Sequence, residues 1–147
     1  MNVDTGAWLE RTFNEKLKRY EGGYSYKFPD YKVYSKMVAA FPEVALMIRR
    51  VPCDRLFVFK GRSYMFELKH TVLSYINIGR FKEHQIAHLL KHKQAGGFSF
   101  FVIGHLKDMY IIDVSVLVML IKGTERKSLL VENLKRYSQS LDGVFDE

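Results

Sequence analysis

Three side chains near the middle of the sequence, Asp54, Glu67 and Lys69, have the chemistry needed to hydrolyse a phosphodiester bond. Two carboxylates held a few ångströms apart repel each other unless a cation lies between them. Their oxygens suit Mg²⁺ or Mn²⁺, which can also bind a phosphate oxygen and lower the pKa of a water molecule. A neighbouring lysine can stabilise the negative charge that develops on the phosphate. This combination of residue types therefore predicts a metal-dependent hydrolytic site.

The chain around these residues is predicted to form a β-hairpin whose turn contains Gly61. Residues directly opposite each other on paired strands share a sheet face, and so do residues two apart on one strand. A two-residue turn that begins at Lys60 would place Asp54 opposite Glu67, and one that begins at Gly61 would place it opposite Lys69. Either register puts all three residues on one face, whereas a three-residue turn would separate them. The other face collects a predicted core of Phe57, Phe59, Tyr64, Phe66 and Leu68.

Helical and strand patterns alternate around this hairpin. A first helix is predicted for residues 5–20, where apolar residues recur at helical spacing before two glycines. Residues 24–51 show no clear pattern apart from a short helix between Pro29 and Pro42. We therefore expect an α/β fold with a mixed, largely antiparallel central sheet flanked by helices. The downstream pattern predicts a helix at 82–93, strands at 98–104 and 109–113, and helices at 114–121 and about 126–137.

Length and composition favour one domain spanning residues 1–147, since 48% of the residues are hydrophobic. The single cysteine cannot form an internal disulfide, which fits a reducing compartment. The first residues lack the basic and apolar regions of a signal peptide, and the apolar stretch at 110–121 is too short to cross a membrane. We expect a cytoplasmic protein without a membrane partner, and the small size would suit a phage protein acting in its host's cytoplasm.

The charge balance favours a polyanionic partner such as nucleic acid. The chain has 23 lysines and arginines against 16 acidic residues, a formal net charge of +7. A solvated basic surface is the alternative reading of the same excess. Arg62, Arg80 and Lys82 are favoured first as phosphate-binding residues because they lie near the hairpin in sequence. The full set of DNA-binding candidates is Arg49, Arg50, Lys60, Arg62, His70, Arg80, Lys82, His84 and Lys91.

Several stretches resemble a known nuclease family. The string PCD at 52–54 followed by ELK at 67–69 resembles the PD-(D/E)XK nuclease signature. The strings GAWLE at 6–10 and FELKHT at 66–71, together with an NI, HQ, HL series within 77–89, are similar to the RecU-type Holliday-junction resolvases, to which the Hjc-type enzymes are related. Each piece alone is weak, and the combination is more specific.

The resemblance implies a restriction-endonuclease-like fold and a homodimer that nicks two opposed strands of a four-way DNA junction with Mg²⁺, for which Mn²⁺ is expected to substitute. Asp54 and Glu67 would bind the metal, and the backbone carbonyl of Leu68 would be a further ligand. Lys69 would be the catalytic lysine. The two-fold symmetry of the dimer would match that of the junction.

The resemblance also implies that two residues on helices belong to the site, and that one segment outside the site has a role of its own. Glu10 would reach the site from the first helix to orient water or a second metal, and Gln85 would support it from the helix after the hairpin. Residues 31–50 fall where the family has a protruding stalk. Cys53 is a departure, because a small or β-branched residue is usual before the aspartate.

Other readings remain open at this point. The chain could be another PD-(D/E)XK endonuclease of the restriction or repair type, or a non-catalytic basic DNA-binding module whose acids are ordinary surface groups. His84, His88 and His92 recur every four residues and could bind zinc or nickel, although no cysteine or acidic ligand accompanies them. They fit better as a structural or DNA-facing side of the helix. Cys53 as a nucleophile is disfavoured, because a buried thiol is inert.

Overall fold

The computed structural model describes residues 6–28, 31–44 and 53–146, without the side chains of 31–35 and 44. Arg49, Arg50 and Pro52 therefore lie outside the described residues. The helices are α1 (Gly6–Leu17), α2 (Tyr31–Ala40), α3 (Glu83–Gln94), α4 (Val114–Lys122), α5 (Val131–Arg136) and α6 (Leu141–Phe145). The strands are β1 (Tyr24–Lys27), β2 (Arg55–Phe59), β3 (Arg62–Thr71), β4 (Tyr75–Asn77), β5 (Phe98–His105), β6 (Asp108–Asp113) and β7 (Ser128–Leu130).

The central sheet has five strands in the order β1-β2-β3-β5-β6. Only β3 and β5 pair in parallel among these neighbours, and the other pairs are antiparallel. The helix α3 connects the two parallel strands, as a parallel crossover requires. Strands β4 and β7 form a second, two-stranded sheet. The expected mixed, largely antiparallel sheet flanked by helices is confirmed.

The hairpin of β2 and β3 adopts the first of the two registers considered above. Arg55 pairs with Phe66 and Phe57 with Tyr64, so the turn consists of Lys60 and Gly61. Both turn residues have positive φ, 50° for Lys60 and 75° for Gly61. A type I′ turn requires positive φ at both positions, and its twist matches the right-handed twist of the strands.

Two apolar clusters lie on opposite faces of the central sheet. On one face, here called the α1 face, Phe13 of α1 packs edge-on against Phe66 at a centroid distance of 4.8 Å. Phe145 of α6 is inserted into the same cluster against Phe57 and Tyr64. The other face, here called the α3 face, is covered over β3 and β5 by α3 and α4. The predicted aromatic core of the hairpin therefore lies on the α1 face, and the residues alternating with it point to the α3 face.

Some elements were not predicted. The strand β1 has four exposed residues, so it lacks the apolar–polar alternation that marks a strand. The strands β4 and β7 have three residues each, too few for a clear alternation, and they pair with each other. Residues 126–137, predicted as one helix, contain β7 followed by the short helix α5.

The segment between β1 and β2 contains α2, which confirms a helix between the two prolines. Among its described side chains, Lys36, Met37, Ala39 and Ala40 are exposed. That it forms a stalk stays a prediction. No helix in the described ranges is both long and apolar enough to cross a membrane.

Candidate active site

Asp54 directly precedes β2 and is held by the strands on both sides. Its Oδ2 accepts a hydrogen bond from the backbone amide of Leu68 on β3 at 2.7 Å. Its carbonyl oxygen accepts one from the amide of Phe28, the residue after β1, at 2.9 Å. The hairpin pairing thus fixes both the backbone and the carboxylate of Asp54 beside the residue that precedes Leu68, which is Glu67.

Glu67 is a buried carboxyl group, 3% exposed, on the α3 face of β3. Its Oε1 accepts a hydrogen bond from Nε2 of Gln85 at 2.9 Å. The Nζ of Lys69 lies 3.5 Å from the same oxygen. Burial, followed by the charge of Asp54, raises the pKa of Glu67 to about 8, and the ammonium group of Lys69 opposes that shift. Two carboxyl groups are thus held close together, and one of them is costly to ionise unless a further cation binds.

The positions of Lys69 and Gln85 follow from simple periodicities. Lys69 lies two residues beyond Glu67 on the same strand and therefore on the same face. Gln85 lies in the first turn of α3, which runs over β3, and its amide faces Glu67. The structure therefore brings together four of the predicted residues: Asp54, Glu67, Lys69 and Gln85.

The donor set fits a hard divalent cation. Mg²⁺ is commonly bound through one or two carboxylates and keeps several of its waters. Asp54 and Glu67 supply the carboxylates, and Oε1 of Gln85 is a buried acceptor that has no hydrogen-bond partner among the described residues. An acceptor in that position suits a water held by such a cation. In the part of the chain that is described, no three His, Cys, Asp or Glu residues form a metal-binding group.

Glu10 is placed next to the site but pairs elsewhere. Its Oε1 lies 2.5 Å from Nζ of Lys27 on β1. The carboxylates of Glu10 and Asp54 both favour the charged form of the buried Arg55, whose pKa is lowered by burial. Glu10 and Lys27 are thus on the α1 side of the strand ends, whereas Glu67 and Lys69 are on the α3 side.

Arg55 and Lys27 were missed by sequence reasoning. Arg55 is 7% exposed, and its Nη1 donates a hydrogen bond to Ser25 Oγ at 2.7 Å. Its burial could have been inferred from the hairpin alternation, because it shares the α1 face with Phe57. Lys27 had no such signal, since it belongs to the strand that was not predicted.

The DNA-binding candidates divide into two groups. Arg80 lies beside the site, where its Nη1 donates to the carbonyl oxygen of His70 at 2.5 Å. Lys82 and His84 are exposed at the start of α3, and Lys91 is exposed further along that helix. Nε2 of His70 is buried and has no hydrogen-bond partner among the described residues.

Lys60 and Arg62 form the second group, at the hairpin turn. Lys60 lies six positions along the chain from Asp54, about 20 Å at roughly 3.3 Å per residue of extended strand. The guanidinium of Arg62 lies over the ring of Phe98, 5.6 Å from its centroid, on the α1 face. The structure does not bring these two residues to the carboxylates, although they are near them in sequence.

His92 and Cys53 have structural environments. The ring of His92 is hydrogen-bonded to Ser63 Oγ at 2.8 Å and Ser99 Oγ at 2.7 Å, which joins α3 to β3 and β5. Cys53 is 2% exposed, and burial raises the pKa of its thiol to about 12. These environments favour a structural role for His92, rather than metal binding, and an unreactive thiol at Cys53.

A mixed, largely antiparallel sheet flanked by helices is a PD-(D/E)XK-like fold. Within it, the structure brings the aspartate before β2 and the Glu-x-Lys of β3 together as the sequence predicted. The family model of RecU, recombination protein U, matches residues 30–145. The chain therefore belongs to the RecU family. This is a family of Holliday-junction resolvases, which are metal-dependent nucleases. The matched range contains Asp54, Glu67, Lys69 and Gln85 and leaves Glu10 outside.

A solved structure supports the fold. The chain is similar to Hjc, a Holliday junction resolvase from the archaeal hyperthermophile Archaeoglobus fulgidus, with a TM-score of 0.63. The likeness covers 95% of this chain and 98% of that one at 15% sequence identity, so it shows the shared fold. No curated protein matches the sequence significantly.

Proposed function

We propose that this protein is a Mg²⁺-dependent endonuclease that resolves Holliday junctions by paired nicks in opposed strands. The proposal rests on one observation: the side chains of Asp54, Glu67, Lys69 and Gln85 lie together on the α3 face of the sheet. The membership of the RecU family supports the branched substrate.

In this proposal Asp54 and Glu67 hold the cation, with the carbonyl oxygen of Leu68 as a further ligand. When bound, the cation would polarise the scissile phosphate and make a water molecule more acidic. The amide of Leu68 orients Asp54, and the side-chain amide of Gln85 orients Glu67. The ammonium group of Lys69, already directed toward Glu67, would stabilise the charge that builds on the phosphate oxygens.

Glu10 has the supporting role of orienting water or a second cation. To act on the α3 side, the carboxylate of Glu10 would have to break its ion pair with Lys27 and turn toward the carboxylates of the site. Both side chains of the ion pair are exposed enough to move. Arg80, Lys82, His84 and Lys91 would bind phosphates close to the cut. Lys60 and Arg62, about 20 Å along the hairpin, would contact a more distant part of a junction arm. The active form would be a homodimer, and Mn²⁺ would substitute for Mg²⁺.

The decisive experiment compares cleavage of a four-way junction, a nicked duplex and a linear duplex of matched sequence. We expect cleavage of the junction with Mg²⁺ or Mn²⁺, none with EDTA, and little cleavage of the linear duplex. Asp54→Asn and Glu67→Gln should each abolish cleavage while junction binding persists.

The outcomes distinguish a junction resolvase from the other two hypotheses about the function. Equal cleavage of all three substrates would indicate a PD-(D/E)XK endonuclease of another type. Tight junction binding without cleavage under either metal would indicate a DNA-binding module. If metal-dependent cleavage survived both Asp54→Asn and Glu67→Gln, the site would be wrong.

A further inference from the structure

Two tyrosines of β1 lie on the same sheet face as the candidate active site. Tyr26 pairs with Leu56, which is two residues from Asp54 along β2, and Tyr24 pairs with Val58. Because paired residues and residues two apart share a face, both tyrosines are on the α3 face. Unlike the β3 and β5 part of this face, this part is open among the residues that the structure describes: Tyr24 is 63% exposed, Tyr26 45% and Val58 37%.

This exposed surface is continuous with the carboxylates. The ring of Tyr26 packs edge-on against that of Phe28, with centroids 5.2 Å apart. The amide of Phe28 is in turn hydrogen-bonded to the carbonyl oxygen of Asp54. One residue therefore separates the exposed aromatic surface from a proposed metal ligand.

The helix α3 packs over β3 and β5, and β3 is the strand next to β2 in the sheet. Gln85, Leu89 and His92 face the sheet, as shown by the contacts of Gln85 and His92 with β3. Lys93, on the next side of the helix, contacts Asp113 and Ser115 at the start of α4, toward β6.

The opposite side of α3 carries His84, His88 and Lys91, and by helical spacing it faces the open part of β2 and β1. Burial, followed by the charges of Lys91 and His84, lowers the pKa of His88, as expected for three neighbours on one side of the helix. The aromatic surface thus has a nearby row of side chains that can bind phosphates.

We propose that Tyr24 and Tyr26 stack on unpaired bases at the branch point of the DNA, while the side of α3 with His84 and Lys91 binds the phosphates of the same strand. This inference rests on the proposed function for its substrate. An aromatic floor beside cationic side chains is how proteins bind single-stranded segments, because every base has a face that can stack. Fully paired duplex offers no such face except at its ends, so the surface would favour the branch point.

A second copy of the chain is the other occupant to consider. Charge favours DNA, because Lys91 and the histidines beside it on α3 can bind phosphates, and the chain's net charge of +7 favours a polyanionic partner. The adjoining carboxylates also need a nucleic acid strand on this face for the proposed reaction.

The test measures junction binding and contact at the branch point, in EDTA so that no strand is cut. A four-way junction carries 5-iododeoxyuridine at the branch point, and ultraviolet crosslinking is mapped by mass spectrometry. We expect a crosslink to Tyr24 or Tyr26, and a much weaker one when the probe is moved into an arm. The double variant Tyr24→Ala/Tyr26→Ala should bind the junction about 5- to 100-fold more weakly.

Three further variants test whether the tyrosine rings stack on bases and whether α3 binds phosphates. Tyr26→Phe keeps the ring and should bind like wild type. Tyr137→Ala is the matched control, because this tyrosine is 46% exposed and follows α5, near the β6 edge of the sheet. Lys91→Ala should lower the slope of log affinity against log salt by about 1, whereas the tyrosine variants should leave that slope unchanged.

The inference fails if the crosslink maps elsewhere or if the folded double variant binds with wild-type affinity. It also fails if sedimentation shows that wild type is a dimer and the double variant a monomer, because the tyrosines then join two copies. These outcomes are distinct from a failure of the proposed function, which is the absence of metal-dependent junction cleavage by wild type.

Discussion

At the scale of single residues, the site depends on a few side chains that orient others. The backbone amide of Leu68 fixes Asp54, and Gln85 fixes Glu67 with one amide hydrogen, while the Gln85 oxygen has no partner among the described residues. Groups that orient metal ligands contribute to activity nearly as much as some ligands do. A substitution of Gln85 therefore tests whether Asp54 and Glu67 form the active site without removing either carboxylate.

We predict that Gln85→Ala lowers the rate of junction cleavage about 10- to 100-fold and leaves junction affinity within about two-fold. Without the amide, Glu67 loses a hydrogen bond that holds its carboxylate toward Asp54. Single-turnover cleavage and binding in EDTA would be measured for each protein. Gln94→Ala, at the exposed end of the same helix, should behave like wild type. A Gln85→Ala enzyme with full activity would remove this residue from the site.

Residue type and strand alternation were enough to predict that the trio of Asp54, Glu67 and Lys69 shares one sheet face. They were not enough to predict which residues surround the trio. Asp54, Glu67 and Lys69 share a face because a two-residue turn preserves the period of two. The ion pair of Glu10 with Lys27 depends on β1, whose exposed residues carry no strand signal. Arg62 is near the trio in sequence and far from it in space, because an extended strand carries it to the opposite end of the hairpin.

At the scale of elements, the turn of the β2–β3 hairpin combines a favourable and an unfavourable residue. Gly61 adopts its φ of 75° without strain, whereas Lys60 has a φ of 50° that a side chain with a Cβ resists. Asparagine is among the residues favoured at this position of a type I′ turn.

We predict that Lys60→Asn raises the free energy of unfolding by about 0.5 kcal/mol, since asparagine adopts positive φ more readily. Urea denaturation would measure the change. Because residue 60 lies about 20 Å from Asp54, cleavage of a short junction should be unchanged at low salt. The salt slope of binding would fall by about 1 if Lys60 contacts a phosphate. A decrease in stability would mean that the turn is not of this type.

The attachment of α3 to the sheet has a pH dependence of known sign. His92 is joined to Ser63 and Ser99, and burial lowers its pKa from the usual 6.5. A histidine whose folded pKa is below its unfolded pKa adds stability above the unfolded value, and this stability is lost as the pH falls through the folded value. We predict that the contribution of His92 to the free energy of unfolding decreases as the pH is lowered from 7 to 5. Glu67, whose pKa is raised to about 8, changes the total in the opposite direction, so the prediction concerns the difference between wild type and a His92 variant.

The variant His92→Gln lacks this contribution, so its difference in free energy of unfolding from wild type should shrink as the pH falls, while His88 and Glu67 titrate alike in both proteins. Urea denaturation at several pH values would measure the difference. His105→Gln is the control, since His105 lies at the opposite end of β5 from Ser99. If the stabilities of wild type and His92→Gln changed in parallel between pH 7 and pH 5, His92 would not be the titrating group.

At the scale of the whole molecule, each chain builds a complete candidate site, and the proposed homodimer would carry two of them. The residues Asp54, Glu67, Lys69 and Gln85 all come from one chain. A homodimer would therefore carry two independent sites, and two-fold symmetry would place them on opposed strands of a junction. Each site would make one nick.

This arrangement predicts the product of a mixed dimer of wild-type and Asp54→Asn chains, purified through two different tags. On a supercoiled plasmid that extrudes a cruciform, wild type should give linear DNA, because two opposed nicks fall within the life of one complex. The mixed dimer should give nicked circles, because one chain cannot cut and the first nick releases the supercoiling that maintains the junction. A homodimer of Asp54→Asn chains should give neither product. Linear DNA from the mixed dimer at a rate near that of wild type would show that a single site makes both cuts, and paired nicking by symmetry would then be wrong.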